Sequence, residues 1–217
     1  MIVAIDGPAG AGKSSIARQL AERLDFQFLD TGAMYRAVAL AALRRGLGDG
    51  DAAAIASLAD AASIDFDGTR TLLDGEDVSE AIRTSEVSAA VYLAADNVAV
   101  RRRLVELQRR IAGGRDTVTE GRDQGTVAFP NAECKIFLTA SPQVRARRRY
   151  EELRSRGERM TLEEVLAQQA DRDRRDAERP VGALLKAADA VEVVTDGLTP
   201  EQVVERLEAI VRQRIRP

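Results

Sequence analysis

At 217 residues, 45% of them hydrophobic, the chain is long enough for one sizeable core and too apolar for disorder. A net charge of −3 gives no general pull toward nucleic acid or an anionic membrane, although 31% of residues are charged and the arginines come in clusters. There is no histidine, and Cys134 is the single cysteine, which excludes histidine-based catalysis, the usual zinc sites and an internal disulfide. The first residues lead straight into a strand, so no secretory leader is expected. The apolar run Ala37–Leu43 is too short to span a bilayer. A reduced, cytoplasmic setting follows as the default expectation.

The short apolar run Ile2-Val3-Ala4-Ile5 reads as a buried parallel strand. It runs into Gly7-Pro8-Ala9-Gly10-Ala11-Gly12-Lys13-Ser14-Ser15, which fits the pattern G-x-x-x-x-G-K-[ST]. Ile16, Ala17, Leu20, Ala21 and Leu24 then recur at helical spacing. Strand, glycine loop and helix are the setting a phosphate-binding loop requires. Glycines let successive N–H groups point inward, and the helix adds its positive end. Lys13 is placed to reach the β- and γ-phosphates of a nucleotide, and Ser14 to put its hydroxyl on Mg²⁺.

Phe26–Leu29 is the second strand candidate, followed by Asp30-Thr31-Gly32-Ala33-Met34-Tyr35-Arg36 and an apolar helix through Leu43. A helix from about Asp51 to Ala62 comes next. Ser63–Ser79 alternates in short runs with Asp-Gly turns and predicts a small antiparallel meander. From Glu86 one helical pattern carries Val98, Leu104, Leu107 and Ile111, ending at Gly113-Gly114.

Thr117–Thr119, Lys135–Ala140 and Val191–Val194 are further core strands. Ser141-Pro142, Thr161-Leu162-Glu163-Glu164 and Thr199-Pro200-Glu201-Gln202 each predict a capped helix start. Strands alternating with helices predict an α/β fold with a parallel, helix-flanked sheet, whose ligand loops follow the strand ends near residues 6, 29, 120 and 140.

Phosphoryl transfer asks a protein for alignment and for positive charge around the transferring group. Arg36 and Arg122 follow strand ends and point to phosphate contact, where the guanidinium fork pairs bidentately. Arg145–Arg149 with Arg172, Arg175 and Arg179 flank a lid over about 145–180. About half of the runs 101–103 and 145–149 is expected to be solvated or paired along a helix. Asp30 reads either as a helix cap or as an organiser of water around Mg²⁺. Glu120 reads as strand-end packing or a metal-water contact. Asp123 reads as an intra-loop ion pair or as the acceptor for an exocyclic amino group such as cytosine N4. Asp176 reads as a local pair or a ribose contact. Tyr35 and Tyr92 read as packing residues from pattern alone, and Cys134 as a small buried hydrophobe.

Together, Ile5-Asp6-Gly7-Pro8 with the glycine loop, Asp30–Arg36, Ile82–Ser88, Glu120–Val127, Phe129-Pro130 and Arg172–Arg179 resemble the bacterial cytidylate kinases over nearly the whole chain. Gln124 stands where that family often carries Met, and Tyr92 aligns with a base-contacting serine. The resemblance implies a single three-layer P-loop kinase domain over residues 1–217, with a five-stranded parallel sheet. It also implies an acceptor-binding antiparallel insert near 60–95 and a helical lid near 145–180. The implied reaction is γ-phosphoryl transfer from ATP to CMP or dCMP with Mg²⁺, in a monomer with no nucleic-acid or membrane partner.

By the same resemblance Gly7–Ser15 hold ATP, Ser14 holds the metal, and Lys13, Arg122, Arg172 and Arg179 act on the transferring group. Thr31, Tyr35, Arg36, Arg101, Arg122, Asp123, Arg172, Asp176 and Arg179 surround the acceptor, with Arg101 and Asp123 on the cytosine edge. Two other readings stay open: a kinase of this fold for another acceptor, and a nucleotide-dependent RNA binder using the arginine runs, whose binding would be steeply salt-dependent.

Overall fold

A computed structural model describes residues 1–215. In it the chain forms two compact units, one of Met1–Leu29 with Ala112–Pro217 and one of Asp30–Ile111.

The first unit is built on a five-stranded parallel sheet of β1 (Ile2–Asp6), β2 (Gln27–Asp30), β6 (Thr117–Gly121), β7 (Cys134–Thr139) and β8 (Val191–Val194), in the order β2-β6-β1-β7-β8. β1 lies at the centre and pairs in parallel with both β6 and β7. Central strands are covered on both faces, which is why Val3, Ala4 and Ile5 are all buried in sequence without polar alternation. α1 (Lys13–Leu24) and α9 (Pro200–Arg212) pack together. Their stripes of Ile16, Ala17, Leu20, Ala21 and of Val203, Val204, Leu207, Val211 close one core with Ile136, Leu138 and Cys134. Cys134 is therefore the small buried hydrophobe its surroundings suggest, and burial pushes its thiol up to about 11.

α7 (Pro142–Ser155) and α8 (Leu162–Glu178) pair through Ala146, Leu153 and Val165. All three foreseen caps are present: Ser141 accepts from Val144 N, and Thr161 with Glu164 and Thr199 with Gln202 form capping boxes.

In the second unit α2 (Thr31–Arg44) contacts α3 (Ala52–Ala61), α4 (Ser85–Ala90) and α5 (Tyr92–Ala95). The meander is β3 (Ile64–Asp67), β4 (Arg70–Leu73) and β5 (Glu76–Asp77), paired antiparallel. Ile64, Thr71 and Leu73 are its buried strand residues, and Val78, just past β5, is buried as well. The continuous helix expected from Glu86 to Ile111 is instead three helices, with α6 (Val98–Ala112) starting afresh. The Asn97 side chain accepts from Ala99 N at 3.1 Å and Val100 N at 3.3 Å, so an N-cap interrupts what the apolar spacing joined.

Candidate active site

The glycine loop follows the buried end of β1 and turns into α1 at Lys13. Two of its glycines are fixed by space as well as by backbone angle. Gly7 has φ +152° and a Cβ there would lie 1.9 Å from the Leu138 carbonyl oxygen. Gly10 has φ +76° and a Cβ would meet Gln169 Nε2 of α8 at 2.7 Å.

Lys13 is 5% exposed, and its ammonium donates to the Pro8 carbonyl at 2.9 Å, across its own loop. Burial lowers its pKa to about 7, with Arg122 and Arg172 pushing the same way and Glu120 and Asp6 opposing. The Ser14 hydroxyl donates to Glu120 Oε1 at 2.8 Å, so Glu120 takes a specific partner at the loop and is more than strand-end packing. A hydroxyl beside one carboxylate is a hard, all-oxygen donor set. It suits Mg²⁺, which keeps waters and takes phosphate oxygens for the rest of its shell. Among the described residues no three His, Cys, Asp or Glu side chains converge into a self-sufficient metal cage.

Arg122 sits just past β6 and gives its Nε to Asp176 Oδ2 at 2.7 Å, not to its neighbour Asp123. Arg179 Nη2 reaches the other oxygen of Asp176 at 2.7 Å. Burial acts to raise the Asp176 carboxyl, but Arg122, Arg172 and Arg179 outweigh it and hold the pKa at about 2. The structure thus places Arg122 and Arg172 within electrostatic reach both of Lys13 and of Asp176, with Arg179 on Asp176 as well, all in one unit. Asp123 is 2% exposed beside them, and its charge is felt at Asp6.

The remaining predicted residues lie in the second unit. Asp30 caps α2 by accepting Ala33 N at 2.9 Å, and Arg83 approaches its other oxygen at 3.7 Å. Thr31 opens α2 in a buried position, Arg36 is half-buried one turn on, and Tyr35 is buried. Arg101 is 4% exposed, donates to the Ala95 carbonyl at 2.9 Å and lies over the Tyr35 ring at 5.3 Å.

The arginine runs sort as expected into inward and outward members. Arg145 is buried: Nε donates to Ala140 O at 3.1 Å, Nη1 to Ala9 O of the glycine loop at 3.0 Å, and Nη2 pairs with Asp173 at 2.7 Å. Arg148 donates to Thr195, Arg147 is exposed and Arg149 pairs along its helix with Glu152. Arg102 is exposed, and Arg103 stands 4.0 Å from Asp60.

One group was not singled out by sequence. Asp6, 4% exposed at the end of β1, accepts backbone N–H groups from Gln124 and Gly125, each at 2.8 Å. The available signal was a carboxylate at the end of an otherwise apolar central strand, which cannot be buried without partners.

A family model described as cytidylate kinase matches residues 3–213. The chain is 53% identical over 213 residues to a cytidylate kinase of Rhodopirellula baltica, covering 98% of this chain and 93% of that one. It is 51% identical over 212 residues to a cytidylate kinase of Pelotomaculum thermopropionicum, covering 95% and 94%. Among solved structures, the shikimate kinase of Bacteroides thetaiotaomicron superimposes with a TM-score of 0.51 at 15% identity, over 98% of both chains. At that identity the likeness speaks for the fold.

Proposed function

The chain belongs to the cytidylate kinase family, and on that premise we propose that it transfers the γ-phosphoryl group of ATP to CMP or dCMP, giving ADP and the diphosphate. The observation that carries the reading is the family match over residues 3–213, at about half identity to named cytidylate kinases over nearly the whole chain.

The glycine loop Gly7–Ser15 would cradle the ATP phosphates with its amides, and polyphosphate would add to the counter-charge that Glu120 and Asp6 only partly supply to the buried Lys13 ammonium. Ser14 would hold Mg²⁺ with Glu120 beside it, and the bound ion supplies charge neutralisation on the β- and γ-phosphates. Transfer is direct and in line. The protein's part is to align the acceptor oxygen and surround the transferring group with Lys13, Arg122, Arg172 and Arg179.

For the acceptor we assign phosphate contacts to Arg36, with Thr31 and Tyr35 near it in sequence, and to Arg122, and the base edge to Arg101 and Asp123. Asp176 and Arg179 would bear on the sugar and phosphate. A buried carboxylate at position 123 suits the donor amino group of cytosine, whereas uracil offers only an acceptor oxygen there. Residues 60–95 are the proposed acceptor-binding insert and 145–180 the proposed lid. The proposal extends to a monomer in the cytoplasm with no nucleic-acid partner, and the ion pairing of the arginine runs supports the last point.

The test is ADP release from ATP and Mg²⁺ with CMP, dCMP, UMP, AMP or GMP offered separately. The reading expects fast turnover with CMP and dCMP, weak turnover with UMP and none above background with purines. Turnover that favours UMP or AMP over CMP would overturn it.

A further inference from the structure

We propose that Asp6 is a positioning residue for the acceptor: its carboxylate seats the loop that carries Arg122 and Asp123 against the strand end from which the phosphate loop departs. The inference rests on the CMP kinase reading for what that loop binds.

The β1–β6 ladder ends at the pair Asp6 and Gly121. Beyond that pair the ladder offers the loop no further hydrogen bonds. The Asp6 side chain extends the tie: Oδ1 accepts Gln124 N and Oδ2 accepts Gly125 N, both at 2.8 Å. These are the first two residues of the single wide helical turn Gln124–Ala128 that follows Arg122 and Asp123. One carboxylate thus satisfies two successive amides, and Gly7 of the phosphate loop is its chain neighbour.

The seat has little slack. The Thr119 hydroxyl donates to Gln124 Oε1 at 2.9 Å. A Cβ on Gly121 would lie 2.8 Å from the Gln124 side chain, and one on Gly125 would lie 3.2 Å from Lys135 Cδ and 3.4 Å from Asp6 Oδ2. Folding alone would favour an apolar side chain at so buried a strand end. What the carboxylate adds is a fixed distance between the phosphate loop and the Arg122–Asp123 loop. In-line transfer depends on such a distance, since a misplacement near 1 Å costs on the order of 10²-fold in rate.

Asp6→Asn is the informative variant. Its single acceptor oxygen can serve one amide, while its NH₂ faces the other N–H. We expect kcat/KM for CMP to fall on the order of 10²-fold with KM for ATP changed less than about threefold. Equal factors for both substrates, or no change in either, overturn the proposal. Wild-type protein assayed alongside separates the two ideas. Wild type that ignores CMP removes the CMP kinase reading, whereas active wild type with an indifferent Asp6→Asn removes only the role of Asp6. Should the variant not fold, wild-type protein decides by NMR. The Asp6 carboxyl carbon and the Gln124 and Gly125 amides should shift together on titration with CMP. A set of resonances blind to CMP overturns the proposal.

Discussion

Around Asp6 and Lys13 burial outweighs pairing. The carboxyl is pushed up to about 6, chiefly by burial, although it accepts two backbone hydrogen bonds, and the lysine is pushed down to about 7 by burial. Around Asp176, in the same unit, burial also acts to raise the carboxyl, yet three arginines overcome it and hold the group at about 2. In the first cluster the Lys13 ammonium is short of counter-charge and gains from an incoming polyphosphate. In the second the carboxylate is paired from within: Arg122 and Arg179 already hold it between them. Under the proposed function, an acceptor phosphate must share those arginines with Asp176. The donor side would then bind by filling an electrostatic deficit, and the acceptor side by exchange of partners.

The largest expected effect breaks the first cluster. Lys13→Met should lower turnover by roughly 10³-fold, as loss of a preorganised cation at the transferring group does. The same variant, melted without nucleotide, should be at least as stable as wild type, because it removes a buried and poorly compensated ammonium. A clear drop in melting temperature would place Lys13 in a satisfied cluster and erase the contrast.

Asp176→Asn should move stability the other way. It leaves Arg122 and Arg179 without their carboxylate, and breaking a buried pair costs roughly 3 kcal/mol. Urea unfolding at neutral pH measures it. The pH dependence sharpens the point. A carboxyl held at about 2 contributes stability that is present above its unfolded value of 3.8 and is lost as pH falls toward 2. Asp6 has the opposite sign: raised to about 6, it contributes stability below 3.8 that is lost as pH rises through 6. Each displacement from 3.8 corresponds to roughly 2–3 kcal/mol. Asp176→Asn should therefore flatten the acid limb of the stability curve below about pH 5, with no change in slope between about pH 5 and 6. A limb as steep as wild type would mean that Asp176 is not held by its arginines.

These two clusters were not equally legible in the sequence. The phosphate loop is local: Gly7 to Ser14 carry strand end, turn and helix start in eight consecutive residues. Capping boxes and the Asp-Gly turns of the meander are local too, and each was foreseen. The bond from Arg122 to Asp176 joins residues 54 apart, and those from Asp6 to Gln124 and Gly125 span 118 and 119. Such pairs depend on strand order, and β2-β6-β1-β7-β8 follows from packing of the whole unit, which no single segment encodes. The sequence points Arg122 to phosphate and leaves an intra-loop pair with Asp123 as one of two readings of that carboxylate, and only the fold reveals the more distant Asp176. The missed break at Asn97 is a different failure. Its cap was local and readable, but apolar spacing on either side outweighed it.

The smallest expected effect tests whether placement, and not arginine content, sets these energies. Arg174 lies on α8 two residues before Asp176, within the same arginine-rich run. Its side chain is 64% exposed and pairs one turn back with Asp171, which also takes Arg175 at 2.9 Å. An exposed helical pair of this kind contributes little, because water already solvates both charges and two long side chains must be held in place. Arg174→Ala should shift the melting temperature by less than about 2 °C and leave kcat/KM for CMP within about twofold of wild type. A loss on the scale of Asp176→Asn would show that the whole run acts as one charged surface, and the separation between a buried, exchanging cluster and a solvated helix face would fall.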